Sequence, residues 1–331
     1  LSSKLGGTRN SITAGSLTGH WPLATYDLAS TAAGRRLEVD YLRPRTWQDA
    51  VALKTENPAA VPINGGTDLM VEIKFAGRRP ACLLDLSHLQ VLKGWRKSNG
   101  TVELGAGVTY TDVLEHLGGD LPALAIASRT VGSPQIRNRG TIAGNLATAS
   151  PAGDAHPPLL ATGATIRVES MRGVRDVPVG RFFTGPKQNV LEPDELIRAV
   201  LVPAARGPQQ FSKVGTRNAM VIAVVSFALA FDKPSRHVGT GIGSAAPTPI
   251  EAADAAAYLE QELDRGGYWE EHRDLPAGTV DGFAERVAAA ARPIDDVRGP
   301  AGYRVHALRV MARRTLRWAW SALETDGTHA H

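Results

Sequence analysis

The stretch TVGSPQIRNRGTIAGNLATASPAGD, residues 130–154, sets the terms on which the rest of the chain is read. It is made of Gly, Ser, Thr and Asn with almost nothing large, which is the composition of a slack linker. A linker gains nothing from Ile136, Ile142 and Leu146, and those interleaved apolar residues predict ordered chain instead. Within it, Gly140, Gly144 and Asn145 predict a small-residue turn, with Thr141, Thr148 and Ser150 as nearby polar groups and Asp154 closing the run. An ordered surface this small and polar suits a cradle for a sizeable polar ligand.

Moving toward the N-terminus, residues 59–80 read AAVPINGGTDLMVEIKFAGRRP. Val61 to Ile63 is expected to be a buried strand, Gly65-Gly66 a sharp turn, and Thr67-Asp68 the start of a helix that turns Leu69, Met70 and Ile73 inward. Glycines let backbone N–H groups come close to a ligand, and a helix N-terminus adds free N–H groups and a positive dipole end, which together suit a phosphate or pyrophosphate. Thr67 or Asp68 simply capping an ordinary tight turn explains this passage alone as well or better. No Gly-Lys-Ser/Thr follows, so it is not a Walker loop, and the three-glycine dinucleotide fingerprint is missing. Two such loops, far apart in sequence, could clasp opposite parts of an extended ligand. A dinucleotide fits that better than a lone phosphate.

The 331 residues allow two or three domains with real cores. Hydrophobic content of 43% and charged content of 21% are ordinary for a globular protein, and the formal net charge of +4 is mild. Arg309, Arg313, Arg314 and Arg317 form the one basic run, three of them spaced to share a helical face; without interleaved aromatics it predicts a solvated face or a contact between protein chains rather than nucleic-acid binding. Cys82 is the single cysteine, so no intrachain disulfide and no cysteine-based metal or iron–sulphur site is expected. The His residues lack paired metal-ligand spacing, no apolar run reaches membrane-spanning length, and the first 37 residues lack a signal-peptide core. Residues 1–37 are expected to be a disordered lead-in, and the compartment to be cytoplasmic.

Ordered sequence is expected from LEVDYLRP onward, with Thr46 capping a helix that carries Ala50, Val51 and Leu53. ACLLDLS and TVELGAG read as strands, and Thr111 as the cap of the helix in TDVLEHL. ATIRVES and VRDVPVG read as a hairpin turning at Gly173, and DELIRAVLVP as a strand closed by Pro203. Further strands are expected in FSKVGTRNAMVIAVVSFALAFD and HVGTGIG, followed by three helices. The polar, proline-containing Pro203–Gln210 is the expected boundary, giving units over 38–207 and 208–323 and a tail over 324–331.

The order of these features carries a resemblance. GGTDLM…IKF, LGAGVTYTDV, VGSPQIRNRGTIAGNLATASPAGDAHPPLLATGA, GRFFTGP, DELI…VP, FSKVGTR and IDDVRGPAGYR occur in one sequence and in register. From about Glu38 to Leu323 the chain resembles the FAD-binding medium subunit of the xanthine dehydrogenase and carbon monoxide dehydrogenase family of molybdenum hydroxylases. The resemblance implies an α+β fold: a PCMH-type (vanillyl-alcohol-oxidase-type) FAD-binding domain of two α/β subdomains, then an α+β C-terminal domain of the medium-subunit type.

It further implies that Pro62, Ile63, Asn64, Gly65, Gly66, Thr67, Asp68 and Leu69 wrap the FAD pyrophosphate, and that Val131 and Gly132 border the flavin. Thr141, Gly144, Asn145 and Asp154 would line the ribityl and phosphate side. Ile197 would pack on the isoalloxazine ring, and Lys213 would sit at the flavin's polar edge, where a cation stabilises charge on reduced flavin. No catalytic acid–base pair is implied. Implied partners are a large molybdopterin-binding subunit and a small subunit with [2Fe–2S] clusters, with NAD, oxygen or a quinone as terminal acceptor. The single cysteine excludes the extra cluster loop of some relatives. A self-sufficient flavin oxidase acting on its own small organic substrate, and a non-catalytic nucleotide-binding module, remain as alternatives.

Overall fold

The computed structural model describes residues 24–27 and 38–325. The chain begins with a four-stranded sheet of β1 (Ala24–Asp27), β2 (Glu38–Leu42), β3 (Val61–Ile63) and β4 (Cys82–Asp85), in the order β1-β2-β4-β3. β2 and β3 both run parallel to β4, while β1 pairs antiparallel with β2. Parallel neighbours need crossovers, and α1 (Trp47–Glu56) and α2 (Leu69–Phe75) lie in those connections. α1 starts where expected: Thr46 accepts from the Asp49 amide at 3.1 Å, and Asp49 in turn accepts from the Thr46 amide.

Two expectations for this region are corrected. Within the stretch read as disordered, Ala24–Asp27 is a strand, because backbone groups along the free edge of β2 can pair with a short segment whatever its composition. The remainder of that lead-in and the tail 326–331 lie outside the described residues. Second, β3 is only half-buried and α2 buries none of its residues; Leu69 and Ile73 are half-buried and Met70 is exposed. At seven residues, α2 is too short to press a whole face onto the sheet.

A five-stranded antiparallel sheet follows, β5-β6-β11-β7-β8, from β5 (Trp95–Ser98), β6 (Thr101–Gly105), β7 (Thr165–Ser170), β8 (Gly173–Pro178) and β11 (Leu196–Pro203). Between β6 and β7 the chain leaves the sheet for five short helices: α3 (Tyr110–His116), α4 (Pro122–Thr130), α5 (Pro134–Arg137), α6 (Ile142–Thr148) and α7 (His156–Ala161). The cap of α3 is Thr109, not Thr111, since Thr109 and Asp112 complete a reciprocal capping box. Thr111 instead donates to Asn138 Oδ1 at 2.6 Å. β9 (Phe183–Gly185) and β10 (Gln188–Asn189) form a small ribbon. One apolar core, including Leu84, Leu104, Ile166, Phe182 and Val200, runs under both larger sheets.

The last part is a three-stranded antiparallel sheet, β12 (Gln209–Val214), β13 (Val225–Asp232) and β14 (His237–Gly243), backed by α8 (Ala253–Gly266), α9 (Ala277–Ala290) and α10 (Ala301–Thr325). Its core gathers Phe227, Phe231, Phe283, Leu308 and Trp320. The basic run of α10 is partly paired: Arg309 with Glu285 and Arg313 with Asp281, both on α9. The other face of the sheet receives α4 and α7 from the preceding part. α7 lies so close that a Cβ on Gly239 would stand 1.7 Å from the Ala161 carbonyl oxygen, and one on Gly241 2.1 Å from that of Pro157. Among the described residues no helix is long and apolar enough to cross a membrane.

Candidate functional site

The two glycine-rich loops touch. A Cβ on Gly65 would lie 2.0 Å from the Arg139 carbonyl oxygen and 3.1 Å from the Gly140 Cα, so only glycine permits the approach. Gly140 lies in turn on the ring of Tyr110, which is 3% exposed, and accepts its backbone N–H at 3.1 Å. Gly66 serves differently. Its φ of +75° requires glycine, while a side chain there would find ordinary contact distances. Arg139, Asn64 and Thr109 also line a polar groove of about 520 Å³ beside the clasp.

Asp68 occupies the N-cap position of α2, as expected, but its side chain makes no capping bond; the carboxylate instead accepts from the Thr148 hydroxyl at 3.0 Å, tying the first loop to the end of α6. At the start of α6, Thr141 accepts from the Gly144 amide at 2.9 Å, an N-cap that uses the hydroxyl oxygen within the protein. Ile142 and Leu146 are buried and anchor this helix, but Ile136 is exposed and packs against Gly132 rather than into the core. Gly132 has a φ of +42° and follows Val131, whose carbonyl accepts from Arg137 Nη1 at 3.1 Å.

Beyond α6 the chain turns into a buried polar cluster. Asp154, on the approach to α7, meets Lys213 of β12 at 2.5 Å, and its Oδ2 also accepts from Thr130. Both charged side chains are more than nine-tenths buried. Burial pushes the Asp154 carboxyl above the usual range, against the pull of the Lys213 ammonium and the Thr130 hydroxyl. Burial likewise holds the His156 imidazole neutral, with its pKa lowered to about 4; its Nε2 lies 3.2 Å from the Asn145 carbonyl oxygen. Its ring fills the space beside Gly153.

Sequence reasoning named Asp154 and Lys213 as separate contacts and missed that they are each other's partner, since a pairing 59 residues apart has no local signature. It also missed Tyr110, whose hydroxyl makes no bond among the described residues. Burial, then the carboxylates of Asp154 and Asp68, push that phenol well above its ordinary pKa. Ile197 is buried in the main core, on the strand against which α6 packs, and not in the loop clasp. Pro62 is exposed and Ile63 and Asn64 half-buried on the approach to Gly65.

The cluster is chemically incomplete. Asn145 Oδ1 and Asp154 Oδ1 are enclosed without hydrogen-bond partners among the described residues, where buried polar atoms are ordinarily satisfied. Unsatisfied acceptors beside two glycine-cleared loops fit a large ligand rich in hydroxyl and N–H groups, and FAD has that chemistry.

Comparisons with known proteins identify the family. The family described as "FAD binding domain in molybdopterin dehydrogenase" matches residues 36–205, and that described as "CO dehydrogenase flavoprotein C-terminal domain" matches 210–319. The xanthine dehydrogenase FAD-binding subunit of Escherichia coli O157:H7 is 30% identical over 295 residues, covering 85% of this chain and 96% of that one. The carbon monoxide dehydrogenase medium chain of Hydrogenophaga pseudoflava is 29% identical over 290 residues, covering 85% and 97%. A reconstituted CO dehydrogenase from Oligotropha carboxidovorans contains a chain that superposes with a TM-score of 0.78 at 28% identity, over 86% of this chain and 98% of that one.

Proposed function

Because this chain belongs to the family of FAD-binding subunits of molybdopterin dehydrogenases, we propose that it is the electron-transfer flavoprotein of a multi-subunit molybdenum hydroxylase. The observation that carries this reading is the clasp of Gly65 on Arg139 beside buried polar atoms that the protein leaves unpaired. Its partners are a large subunit with the molybdenum cofactor and a small subunit with [2Fe–2S] clusters. The terminal acceptor is NAD, oxygen or a quinone. The proposed compartment is the cytoplasm, as a chain with one cysteine forms no disulfide within itself that would call for an oxidising one.

When bound, FAD supplies reversible two-electron chemistry at its ring. This chain's own residues bind, orient and shield. In our assignment the segment Pro62 to Leu69 faces the pyrophosphate, and Gly66 turns the backbone there. Val131 and Gly132 border the flavin, with Ile197 supplying apolar support from β11. Thr141 and Gly144 shape the start of α6, so that Asn145 presents its free Oδ1 to ligand hydroxyls. Asp154 holds Lys213 at a fixed place, and the ammonium supplies positive charge to a site that the rest of the chain keeps dry. The flavin unit comprises 38–207, and 208–323 completes it by contributing Lys213.

The test is reconstitution. Purified chain incubated with FAD should take up one flavin and show its visible absorbance, and the chain should co-purify with partners that carry molybdenum and iron. Protein that stays colourless overturns the flavin assignment. Turnover of an organic substrate by the isolated chain would overturn the electron-transfer reading in favour of a self-sufficient oxidase.

A further inference from the structure

A second opening shares no residue with the loop clasp. It has a volume of about 390 Å³ at the first turn of α1, and Arg45, Trp47, Gln48, His88, Gln90 and Arg198 contribute to its wall. None of the described residues that line it is acidic.

Arg198 reaches this opening through an irregularity in β11. In the pairing with β7, Ile197 lies opposite Val168 and Ala199 opposite Arg167, so Arg198 is the extra residue of a β-bulge. A bulge gives up regular ladder pairing and re-aims a side chain. Here the guanidinium lies over the Trp47 ring, 4.9 Å from its centroid. The indole N–H is already committed to Glu169 at 2.8 Å. Among the described residues Arg198 forms no ion pair, and its Nη1 is enclosed without an acceptor. The Asp85 carboxylate, outside the lining, is held by Tyr41 and faces His88 Nδ1 at 3.6 Å.

A guanidinium carries its charge throughout the working range of a protein, and a half-buried one without a counter-ion is unfavourable. A bulge, a stacking platform, an unpaired cation and an opening with amide donors at its rim therefore converge on one chemistry. We propose that this cavity binds a small oxyanion, a phosphate or a carboxylate, with the Arg198 guanidinium as its principal partner and Gln48 and Gln90 as further donors.

Calorimetric titration of the full-length chain at low ionic strength tests this. Sodium phosphate and sodium acetate serve as separate probes, and sodium chloride at matched ionic strength as the control. Saturable binding of phosphate or acetate, but not chloride, is expected, and the tighter of the two identifies the headgroup. Arg198→Gln should weaken it at least tenfold. Gln48→Glu, which adds a carboxylate to the wall, should do the same and decides the matter if Arg198→Gln fails to fold. Absorbance of added FAD should be unaltered in both. The proposal is overturned if neither oxyanion binds saturably, if chloride acts equally, or if the folded variants bind like the parent chain.

Discussion

Two ion pairs, each with a buried cation, differ in how completely they are satisfied. Arg304, at the start of α10, donates to the Val224 and Ser244 carbonyls at 3.0 and 2.8 Å and to the Asp296 carboxylate. Asp296 also accepts from the Arg298 amide at 2.8 Å. Burial works against the Asp296 carboxylate, but the Arg298 amide and the two guanidinium partners outweigh it and hold its pKa below the usual range. At Asp154 burial wins over Lys213, the pKa rises, and Oδ1 has no partner among the described residues. The same chemistry thus gives a closed joint in one place and an open one in the other. A structural pair finishes its hydrogen bonding within the chain, whereas the pair assigned to the proposed flavin site leaves an acceptor unused.

The largest effect is expected where the closed joint is broken. Arg304→Ala should cost about 3 kcal/mol of stability, measured by denaturant unfolding, because it strands two buried carbonyls and a carboxylate. FAD affinity of the folded protein should be unaffected; a specific loss of affinity would erase the distinction between the joints. Next comes the clasp: Gly65→Ala should cost about 2 kcal/mol and abolish FAD retention, while Gly66→Ala, with room for its Cβ but a left-handed φ, should cost about 1 kcal/mol. Equal effects would show that backbone conformation, not close approach, makes the cradle.

A smaller effect separates the two carboxylates by pH. The raised pKa of Asp154 contributes stability present below the ordinary aspartate value and lost as pH rises through the folded value. The lowered pKa of Asp296 contributes stability present above the ordinary value and lost as pH falls through its folded value. Asp154→Asn should therefore remove a decline of apo-protein stability on the rising-pH side, and Asp296→Asn one on the acid side, both read from melting temperature against pH. Identical profiles would refute the contrast. The smallest change expected is from Tyr110→Phe, which deletes one unpartnered hydroxyl: FAD affinity should fall by a factor of about five, worth about 1 kcal/mol, with apo stability maintained. Unchanged affinity would make Tyr110 a packing residue only.

Much of this was legible in the chain. The Thr46 cap, the strand closed by Pro203 and the ordered stretch 130–154 follow from local patterns of polarity and capping. Thr109-x-x-Asp112 was an equally local signal for the start of α3, overlooked in favour of Thr111. The inward face expected for α2 failed because periodicity reports a stripe, not whether a neighbour arrives to cover it; Met70 and Phe75 remain exposed. Gly65 could be flagged as a glycine that matters, but its reason, the Arg139 carbonyl, is set by tertiary approach. The partnership of Asp154 with Lys213 and the bulge at Arg198 depend on which strands meet, and strand pairing is invisible to a window of neighbouring residues.

Lys213 stands on β12, yet its ammonium ends among residues of the preceding part of the chain. That single reach has a consequence for recombination. A crossover between related genes placed in the connection near residue 207 would transmit both glycine-rich loops intact and still assemble a mismatched ion pair whenever the two parents differ at 154 or 213. Residues gathered around two different apolar cores would thus have to be inherited together.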